Sequence, residues 1–165
     1  MQVERNHGRI DVASVLLLAA PRPLVYQALS DYDRFAELSR RYKQSNFVEP
    51  AADGVPRVYT EIEGCVWFFC RNVKRISRLE LTPDEEIIAI AEPEFSDVNY
   101  GREQWQLLED GAGTRVVYTH SMEFDFWVPP VIGVWAIKRA LNADAQSAAE
   151  RIEELALERA PEISP

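Results

Sequence analysis

The segment YGREQWQLLEDGAGTRVVYTHSMEF, residues 100–124, decides the fold of this chain. Two runs in which apolar and polar residues alternate flank the turn signal DGAG at 110–113, a pattern typical of an antiparallel β-hairpin. With these four residues as the loop, Glu109 faces Thr114, and the numbers of any two facing residues add up to 223. The segment therefore predicts both a hairpin and its register.

This register gives the hairpin one apolar face and one polar face. The apolar face carries the facing pairs Leu107–Val116, Trp105–Tyr118, Glu103–His120 and Gly101–Met122, followed by Phe124. The opposite face is mostly polar, which suits contact with water. A shift by one residue would exchange the two faces, so the pattern itself supports the register. We expect the first face to line a core or a ligand cavity.

A second hairpin is predicted around CVWFFC, residues 65–70, if the Glu-Gly dipeptide at 63–64 forms a two-residue turn. Strand alternation then places Trp67 and Phe69 on the inner face. A continuous strand with a bulge at the glycine would exchange the two faces, and the sequence leaves that alternative open.

The two cysteines of the chain, Cys65 and Cys70, lie within the same segment. On one extended strand their side chains point to opposite faces and are about 17 Å apart. That distance is too long for a disulfide. Zinc would need more Cys or His ligands than His7 and His120 can add. We therefore expect two free, mostly buried thiols and no metal site.

Length and charge exclude several classes of protein. The 165 residues suit one domain, 1–165, with a core at about 10–158 and short flexible ends. A net charge of -9 without a basic stripe argues against a nucleic-acid partner. The charged N-terminus lacks the apolar centre of a signal peptide, which predicts a cytoplasmic protein. No glycine-rich phosphate loop is present, and no cofactor is expected.

Other elements follow from their patterns. Residues 10–19 are rich in Val and Leu and predict a first strand, and two short helices are expected between the prolines at 21 and 23 and residue 42. A long helix of about 28 residues is predicted after Pro130. Its apolar stripe comprises Val134, Ile137, Leu141, Ala145, Ala148, Ile152 and Leu155.

This order of elements resembles the START-like helix-grip superfamily (SRPBCC). The resemblance covers about residues 10–158 and is carried by AAPRPLVYQALSDYDRFAEL at 19–38 and by GAGTRVVY at 111–118. The chain looks closest to the bacterial polyketide cyclase/dehydrase-like and coenzyme Q-binding-like branches. The resemblance implies an α+β fold, in which a curved antiparallel sheet of about seven strands wraps around the long C-terminal helix.

The resemblance also implies an apolar cavity between the sheet and the long helix, which holds lipids, quinones or aromatic polyketides in that family. The protein would then be a carrier or sensor of a hydrophobic small molecule. The alternative is that the same side chains only fill the core. The expected ligand-binding residues are Trp67, Phe69, Trp105, Leu107, Val116, Tyr118, Met122, Phe124 and Trp135.

Glu103 and His120 support a second hypothesis, a polyketide aromatase/cyclase. Facing residues of an antiparallel pair have Cβ atoms within about 5.5 Å, so the carboxylate can hold the imidazole. His120 would then move a proton as a general base. The competing interpretation is a structural ion pair at the cavity edge. If the two side chains are in contact, we expect the carboxylate to outweigh burial and favour charged His120.

The segment WVPPVIGVW, residues 127–135, concentrates apolar bulk before the long helix. If exposed, it would make transient contact with a membrane or gate the cavity. If buried, it would fasten the helix to the last strand, which is the interpretation we favour.

Overall fold

Eight strands and two helices are present in the computed structural model, which describes residues 1–6, 8–66, 69–127 and 134–159. Helix α1 (Arg22–Ser30) and a 3₁₀ turn (Phe35–Glu37) lie between the second and third strands, and helix α2 (Val134–Glu158) follows the last strand. The strands are β1 (Gln2–Asn6), β2 (Arg9–Leu18), β3 (Tyr42–Val48), β4 (Arg57–Val66), β5 (Phe69–Thr82), β6 (Glu86–Ala91), β7 (Val98–Asp110) and β8 (Gly113–Phe124).

All eight strands form one antiparallel sheet in the order β1-β2-β8-β7-β6-β5-β4-β3. Helix α2 contacts β1 and β2 near one end of the sheet and β4 near the other, as a sheet wrapped around a helix requires. The predicted α+β helix-grip fold is confirmed. The expected count of about seven strands is one too low, because β1 pairs with β2 through Val3 and Val12.

The β7–β8 hairpin has the predicted register. Glu103 faces His120, Trp105 faces Tyr118, and Leu107 faces Val116. The loop is two residues shorter than expected, since Asp110 pairs with Gly113. Gly111 adopts a φ of 64°, the left-handed conformation that a tight two-residue hairpin turn needs and that glycine adopts without strain.

The β4–β5 hairpin corrects the prediction for residues 63–70. Strand β4 runs through Gly64 to Val66, which pairs with Phe69, so the chain reverses four residues later than expected. Cys65 and Cys70 therefore face each other on adjacent strands, with their Cα atoms 4.1 Å apart, and form a disulfide. The prediction of two free thiols is wrong because it assumed that both cysteines lay on one strand. Disulfides are more typical of oxidising compartments than of the cytoplasm.

The main core lies between one end of the sheet and the helices. Its buried side chains come from α1, the 3₁₀ turn and the C-terminal half of α2 on one side, and from β2 and β4 to β8 on the other. Ile152 and Leu155 belong to the predicted stripe of α2 and are each 1% exposed. Two ion pairs, Arg34–Glu158 and Arg151–Glu37, join α2 to the chain around the 3₁₀ turn. No described helix is long and apolar enough to cross a bilayer.

Gly113 provides a test of the junction between β8 and β2. A Cβ atom at this position would overlap the backbone carbonyl oxygen of Leu18, which cannot rotate away. We expect Gly113→Ala to lower the free energy of unfolding by about 2 kcal/mol, the usual cost of forcing extra volume into a packed site. Gly64→Ala is the matched control, because its new Cβ would lie 3.8 Å from the nearest atom, an ordinary contact. Equal urea midpoints for the two variants would contradict the prediction.

The disulfide predicts a chain lighter by two hydrogen atoms than the fully reduced sequence when its intact mass is measured without reductant. Both thiols should resist alkylation until a reductant is added. Closing so short a loop stabilises the fold by about 2 kcal/mol in the chain-entropy model, so reduction should lower the free energy of unfolding by that amount. The Cys65→Ser/Cys70→Ser variant should match the reduced protein and show no response to reductant. Complete alkylation of the purified protein without reductant would contradict the pairing.

Candidate functional site

The inner face of the sheet, which the helices cover, carries two apolar clusters with polar residues between them. The main core occupies one end. A small cluster occupies the other and consists of Val73, Ala91 and Val98 with Met122, Phe124 and Phe126 packed against them. Between the clusters lies a polar layer, which we define as Thr60, Arg75, Glu103, Tyr118 and His120.

Strand alternation and register bring the polar layer together. Thr60 on β4 is paired with Arg75 on β5, and Glu103 on β7 is paired with His120 on β8. Strand β6 separates these two pairs, so the Arg75 side chain must cross it to reach Glu103. Small residues leave room for this crossing. A Cβ atom at Gly101 would lie 2.9 Å from the Cβ of Ala91 and 3.8 Å from the Cδ of Arg75.

Arg75 is the centre of the hydrogen-bond network. Its Nη2 donates to Oε2 of Glu103 at 2.6 Å, and its Nη1 lies 3.1 Å from Nε2 of His120. Its Nε donates to Oγ1 of Thr60 at 3.4 Å. The hydroxyl of Tyr118 lies 3.3 Å from Oε1 of Glu103 and 3.2 Å from Nδ1 of His120. Arg75 and Glu103 are 2% and 0% exposed, so the ion pair is shielded from water.

The direction of each hydrogen bond follows from the chemistry of the donors. A guanidinium has no acceptor, so Nε2 of His120 must receive the bond from Arg75 with its lone pair. The proton of the neutral imidazole then lies on Nδ1 and is donated to the Tyr118 hydroxyl. Tyr118 in turn donates its own proton to Glu103. Arg75, His120, Tyr118 and Glu103 thus form a closed ring in which each bond has one donor and one acceptor.

Burial and the Arg75 charge determine the ionisation of this ring. Burial opposes ionisation of Glu103, but the adjacent guanidinium outweighs it and lowers the pKa of the carboxyl. Burial lowers the pKa of His120 to about 4, and Arg75 adds to this effect while Glu103 opposes it. At His120, burial therefore outweighs the carboxylate. The opposite balance was expected for side chains in contact, whereas the described hydrogen bonds join Glu103 and His120 only through Arg75 and Tyr118.

Tyrosine hydroxyls around the ring stay protonated. Burial, with the negative charge of Glu103, raises the pKa of Tyr118 and Tyr42 well above the usual value. The same causes raise the pKa of Tyr32, although Arg75 partly opposes them. The ring is thus surrounded by neutral hydroxyl groups, and charge is confined to Arg75 and Glu103 within the described part of this layer.

Three buried polar atoms near the network have no described hydrogen-bond partner: Nε1 of Trp105, the hydroxyl of Tyr32 and the hydroxyl of Ser77. Trp105 is in ring contact with Tyr118, their centroids 4.2 Å apart. Tyr32 stacks on Phe35 at 4.6 Å, and Phe35 meets Trp105 edge-on at 6.3 Å. Buried polar groups are normally hydrogen-bonded, so unpartnered donors within one aromatic group leave room for an acceptor from outside the chain.

The predicted ligand-binding residues divide between the two ends of the inner face. Leu107 and Val116 are 1% and 0% exposed and are packed in the main core, where they fill space between the sheet and the helices. Tyr118, Met122 and Phe124 are half-buried and retain accessible surface. Trp105 is buried and packs against Tyr118. Trp67 and the side chains of Phe69 and Trp135 lie outside the described residues.

The predicted catalytic pair is close but not directly bonded. Glu103 and His120 are paired across β7 and β8, as expected, yet the described hydrogen bonds connect them only through Tyr118 and Arg75. Of the segment 127–135, Trp127 is 73% exposed, and residues 128–133 lie outside the described part. Among the described residues, no group of His, Cys, Asp or Glu side chains is arranged to hold a metal ion.

Sequence reasoning missed Arg75 and Tyr32. The signal for Arg75 was present in the alternation of β5, since Val73, Arg75, Ser77 and Leu79 share the inner face and are all buried. Extending the alternation predicted for Phe69 along β5 would have placed this arginine on the inner face among apolar neighbours. Tyr32 comes from the segment that follows α1, and its position depends on tertiary packing that no local pattern encodes.

Comparison with protein families shows the family to which the chain belongs. The model for the family described as polyketide cyclase / dehydrase and lipid transport matches residues 18–151. The chain belongs to this family. The matched range contains the whole polar layer and most of α2. No curated protein sequence matches the chain significantly.

Solved structures with the same fold are distant in sequence. A START superfamily protein from Mycobacterium smegmatis is 15% identical, with a TM-score of 0.68 over 88% of this chain and 98% of its own. The ZhuI aromatase/cyclase from Streptomyces sp. R1128 is 18% identical, with a TM-score of 0.69 over 92% and 95%. The protein TTHA0849 from Thermus thermophilus is 18% identical, with a TM-score of 0.67 over 91% and 99%. At these identities the likeness shows the fold alone.

His120 gives a spectroscopic test of the closed ring. At pH 7 we expect ¹⁵N NMR to show a neutral imidazole protonated on Nδ1, with a His7→Gln variant assigning the signals. The folded pKa of about 4 lies below the unfolded value of about 6.5, so the unfolded chain binds more protons in this window. Stability should therefore fall as pH decreases from about 6.5 to 4, and His120→Gln should remove this component. An imidazolium at pH 7, or a proton on Nε2, would contradict the ring.

Proposed function

We propose that the protein binds a mostly apolar small molecule with an acceptor oxygen, such as a lipid, a quinone or an aromatic polyketide-like compound, and acts as its carrier or sensor. One observation carries the proposal. The inner face combines half-buried apolar and aromatic side chains with a polar layer that contains the buried Arg75–Glu103 pair, and with unpartnered donors. This combination is the usual form of a small-molecule site, in which apolar walls supply affinity and a few polar groups set orientation.

The apolar part of the proposed site is the small cluster around Val73 and Val98, which we call the open end of the inner face because Met122 and Phe124 are only half-buried there. Met122 and Phe124 extend from the polar layer along β8, and both retain accessible surface. Burying apolar area gives about 25 cal/mol per Å², so a ring system or acyl chain placed on these side chains gains affinity without any specific contact. The aromatic rings of Tyr118 and Trp105 form the boundary with the polar layer.

The polar part favours a ligand oxygen over a ligand donor. The indole N–H of Trp105 can only donate, and its partner is missing among the described residues. The Tyr32 hydroxyl is likewise unpartnered and can donate. A carbonyl, ester or quinone oxygen would accept from such groups, whereas a pure hydrocarbon would leave them unsatisfied at a cost of about 1–3 kcal/mol each.

Family membership supports this proposal, because the family description includes lipid transport as well as cyclase/dehydrase activity.

The expected cytoplasmic location remains part of the proposal, although the disulfide favours a more oxidising compartment. A transient membrane contact through the region of Trp127 would suit a carrier, since this side chain is largely exposed.

Ligand extraction tests the proposal. Protein purified without detergent should release an apolar compound into organic solvent, and calorimetry with menadione, methyl oleate and 2-acetylnaphthalene should show binding of at least one. Met122→Trp should weaken binding about tenfold or more by filling the open end, since such a loss corresponds to about 1.4 kcal/mol. Leu108→Trp is the matched control, because Leu108 lies on the outer face and is 41% exposed.

Two results would contradict the carrier proposal. The first is a purified protein that releases no apolar compound and binds none of the three probes. The second is equal binding by the two tryptophan variants, which would move the site away from the inner face.

A polyketide aromatase/cyclase is the second candidate. The buried Arg75 and the half-buried Tyr118 and His120 are groups that can orient carbonyl oxygens and transfer protons, and one solved relative in fold is itself an aromatase/cyclase. The geometry makes His120 a weak base, however. Both ring nitrogens are engaged, and the pKa of about 4 leaves little driving force for proton abstraction at neutral pH.

Turnover of a poly-β-ketone would separate the two candidates. If His120 acts as the base, His120→Ala and His120→Gln should both slow cyclisation by about a hundredfold or more. If either variant is as fast as the parent, the role assigned to His120 is wrong. Binding without any turnover would favour the carrier.

A further inference from the structure

The polar layer is electrically balanced. Among its described members, Arg75 is the one cation and Glu103 the one anion, and their charged atoms lie 2.6 Å apart. Both side chains are almost completely shielded from solvent, at 2% and 0% exposure. Screening by water or salt is weak for such a pair, so the balance depends on these two groups.

The remaining members of the layer are neutral by geometry. His120 accepts from Arg75 through Nε2, which requires an unprotonated nitrogen at that position. Tyr118 donates its proton to Glu103, which requires an intact hydroxyl. The pKa directions of His120 and Tyr118 agree with this assignment.

We propose that Glu103 determines ligand specificity: by cancelling the charge of Arg75, it makes the site select uncharged ligands and reject carboxylates. This inference rests on the proposed function and assigns a role to a residue that would otherwise be described as half of a structural ion pair. It narrows the ligand class to neutral molecules with an acceptor oxygen, and it excludes fatty acids and other carboxylates as preferred ligands.

The physical reason is the cost of an unpaired buried charge. A carboxylate entering beside the layer would be a second anion, while the one described cation already has its partner. A buried charge without a partner is strongly unfavourable, so the ligand would either bind weakly or have to take up a proton. A ketone, ester or quinone oxygen needs only a hydrogen-bond donor, and the unpartnered Trp105 indole and Tyr32 hydroxyl can provide one.

The same reasoning predicts how specificity changes when the balance is broken. Glu103→Gln preserves the size of the side chain, and its one carbonyl oxygen can still accept from Arg75 while its amide nitrogen donates to the Tyr118 oxygen, but it leaves the guanidinium without a counter-ion. The site then carries one net positive charge and should recruit a carboxylate. Arg75→Gln leaves the negative charge of Glu103 unpaired and should repel carboxylates more strongly than the parent does.

Matched probe pairs measure this selectivity directly. 2-Acetylnaphthalene and 2-naphthoate share the same rings, and methyl oleate and oleate share the same acyl chain, so each pair differs in the charged group. Dissociation constants would be measured at pH 7 by displacement of the neutral dye N-phenyl-1-naphthylamine. Where the parent protein binds a pair, we expect the neutral compound to bind about tenfold tighter or more than the carboxylate, because the carboxylate lacks a free counter-ion.

The variants assign the effect to Glu103. Glu103→Gln should raise the affinity for carboxylates and so reduce or reverse the preference for neutral compounds. Arg75→Gln should increase that preference. Glu92→Gln is the control, because Glu92 pairs with Arg57 at 3.2 Å outside the polar layer, with each side chain 20% exposed. This control should keep the parent's preference. Circular dichroism and the urea midpoint of each variant would be recorded first.

Each outcome has a defined meaning. A parent protein that binds a carboxylate as tightly as its neutral partner overturns the charge inference while leaving the carrier proposal intact. A parent that binds neither member of either pair, does not bind menadione and releases no apolar compound overturns both. If Glu103→Gln does not fold, the dissociation constants of the double variant Arg75→Gln/Glu103→Gln and of the single variant Arg75→Gln test the inference instead. The inference requires the uncharged double variant to keep the preference for neutral compounds. A higher affinity of Arg75→Gln for carboxylates would overturn the inference.

Discussion

The ion pair between Arg75 and Glu103 is the interaction on which the rest of this structure depends. Removing two charges from water costs several kcal/mol for each ion, and their attraction compensates only when the remaining hydrogen-bonding groups are also satisfied. The surrounding residues meet this requirement: Thr60, Tyr118 and His120 complete the network, and Gly101 provides room for the arginine stem. Well-packed apolar residues of similar volume often give equal or greater stability, so stability alone does not account for the pair.

The polar layer also divides the inner face into parts with different physical properties. On one side, side chains from both helices and six strands are almost fully buried, and this tight packing resists deformation. On the other side, the small cluster around Val73 and Val98 is flanked by half-exposed Met122 and Phe124. A ligand entering the less packed side would meet the charged residues last. Affinity and discrimination would then come from different regions of one surface.

Sequence reasoning succeeded where local chemistry is decisive. In the β7–β8 hairpin, regular alternation and the glycines of DGAG agree, so both the register and the opposition of Glu103 and His120 could be predicted. In the β4–β5 hairpin, the Glu-Gly dipeptide offered a turn signal, but the chain reverses between Val66 and Phe69. The two intervening residues, Trp67 and Phe68, are not of the types that mark turns. That error concealed the disulfide. It did not conceal Arg75, because alternation extended from Phe69 places Arg75 on the inner face with either turn; Arg75 was missed because the pattern was not followed beyond the hairpin.

The strand order has a consequence for how the chain is made. Strand β2 pairs with β8, so Leu16 and Val116 meet although 100 positions separate them (116 − 16). At typical synthesis rates, about 5 to 20 s pass between the emergence of these two residues. During this interval β2 has β1 as a neighbour on one edge and unsatisfied backbone groups on the other. Contacts between such distant positions also make folding slow. The nascent chain therefore exposes an apolar strand edge until β8 has been translated, and that interval is when it most needs protection from association with other chains.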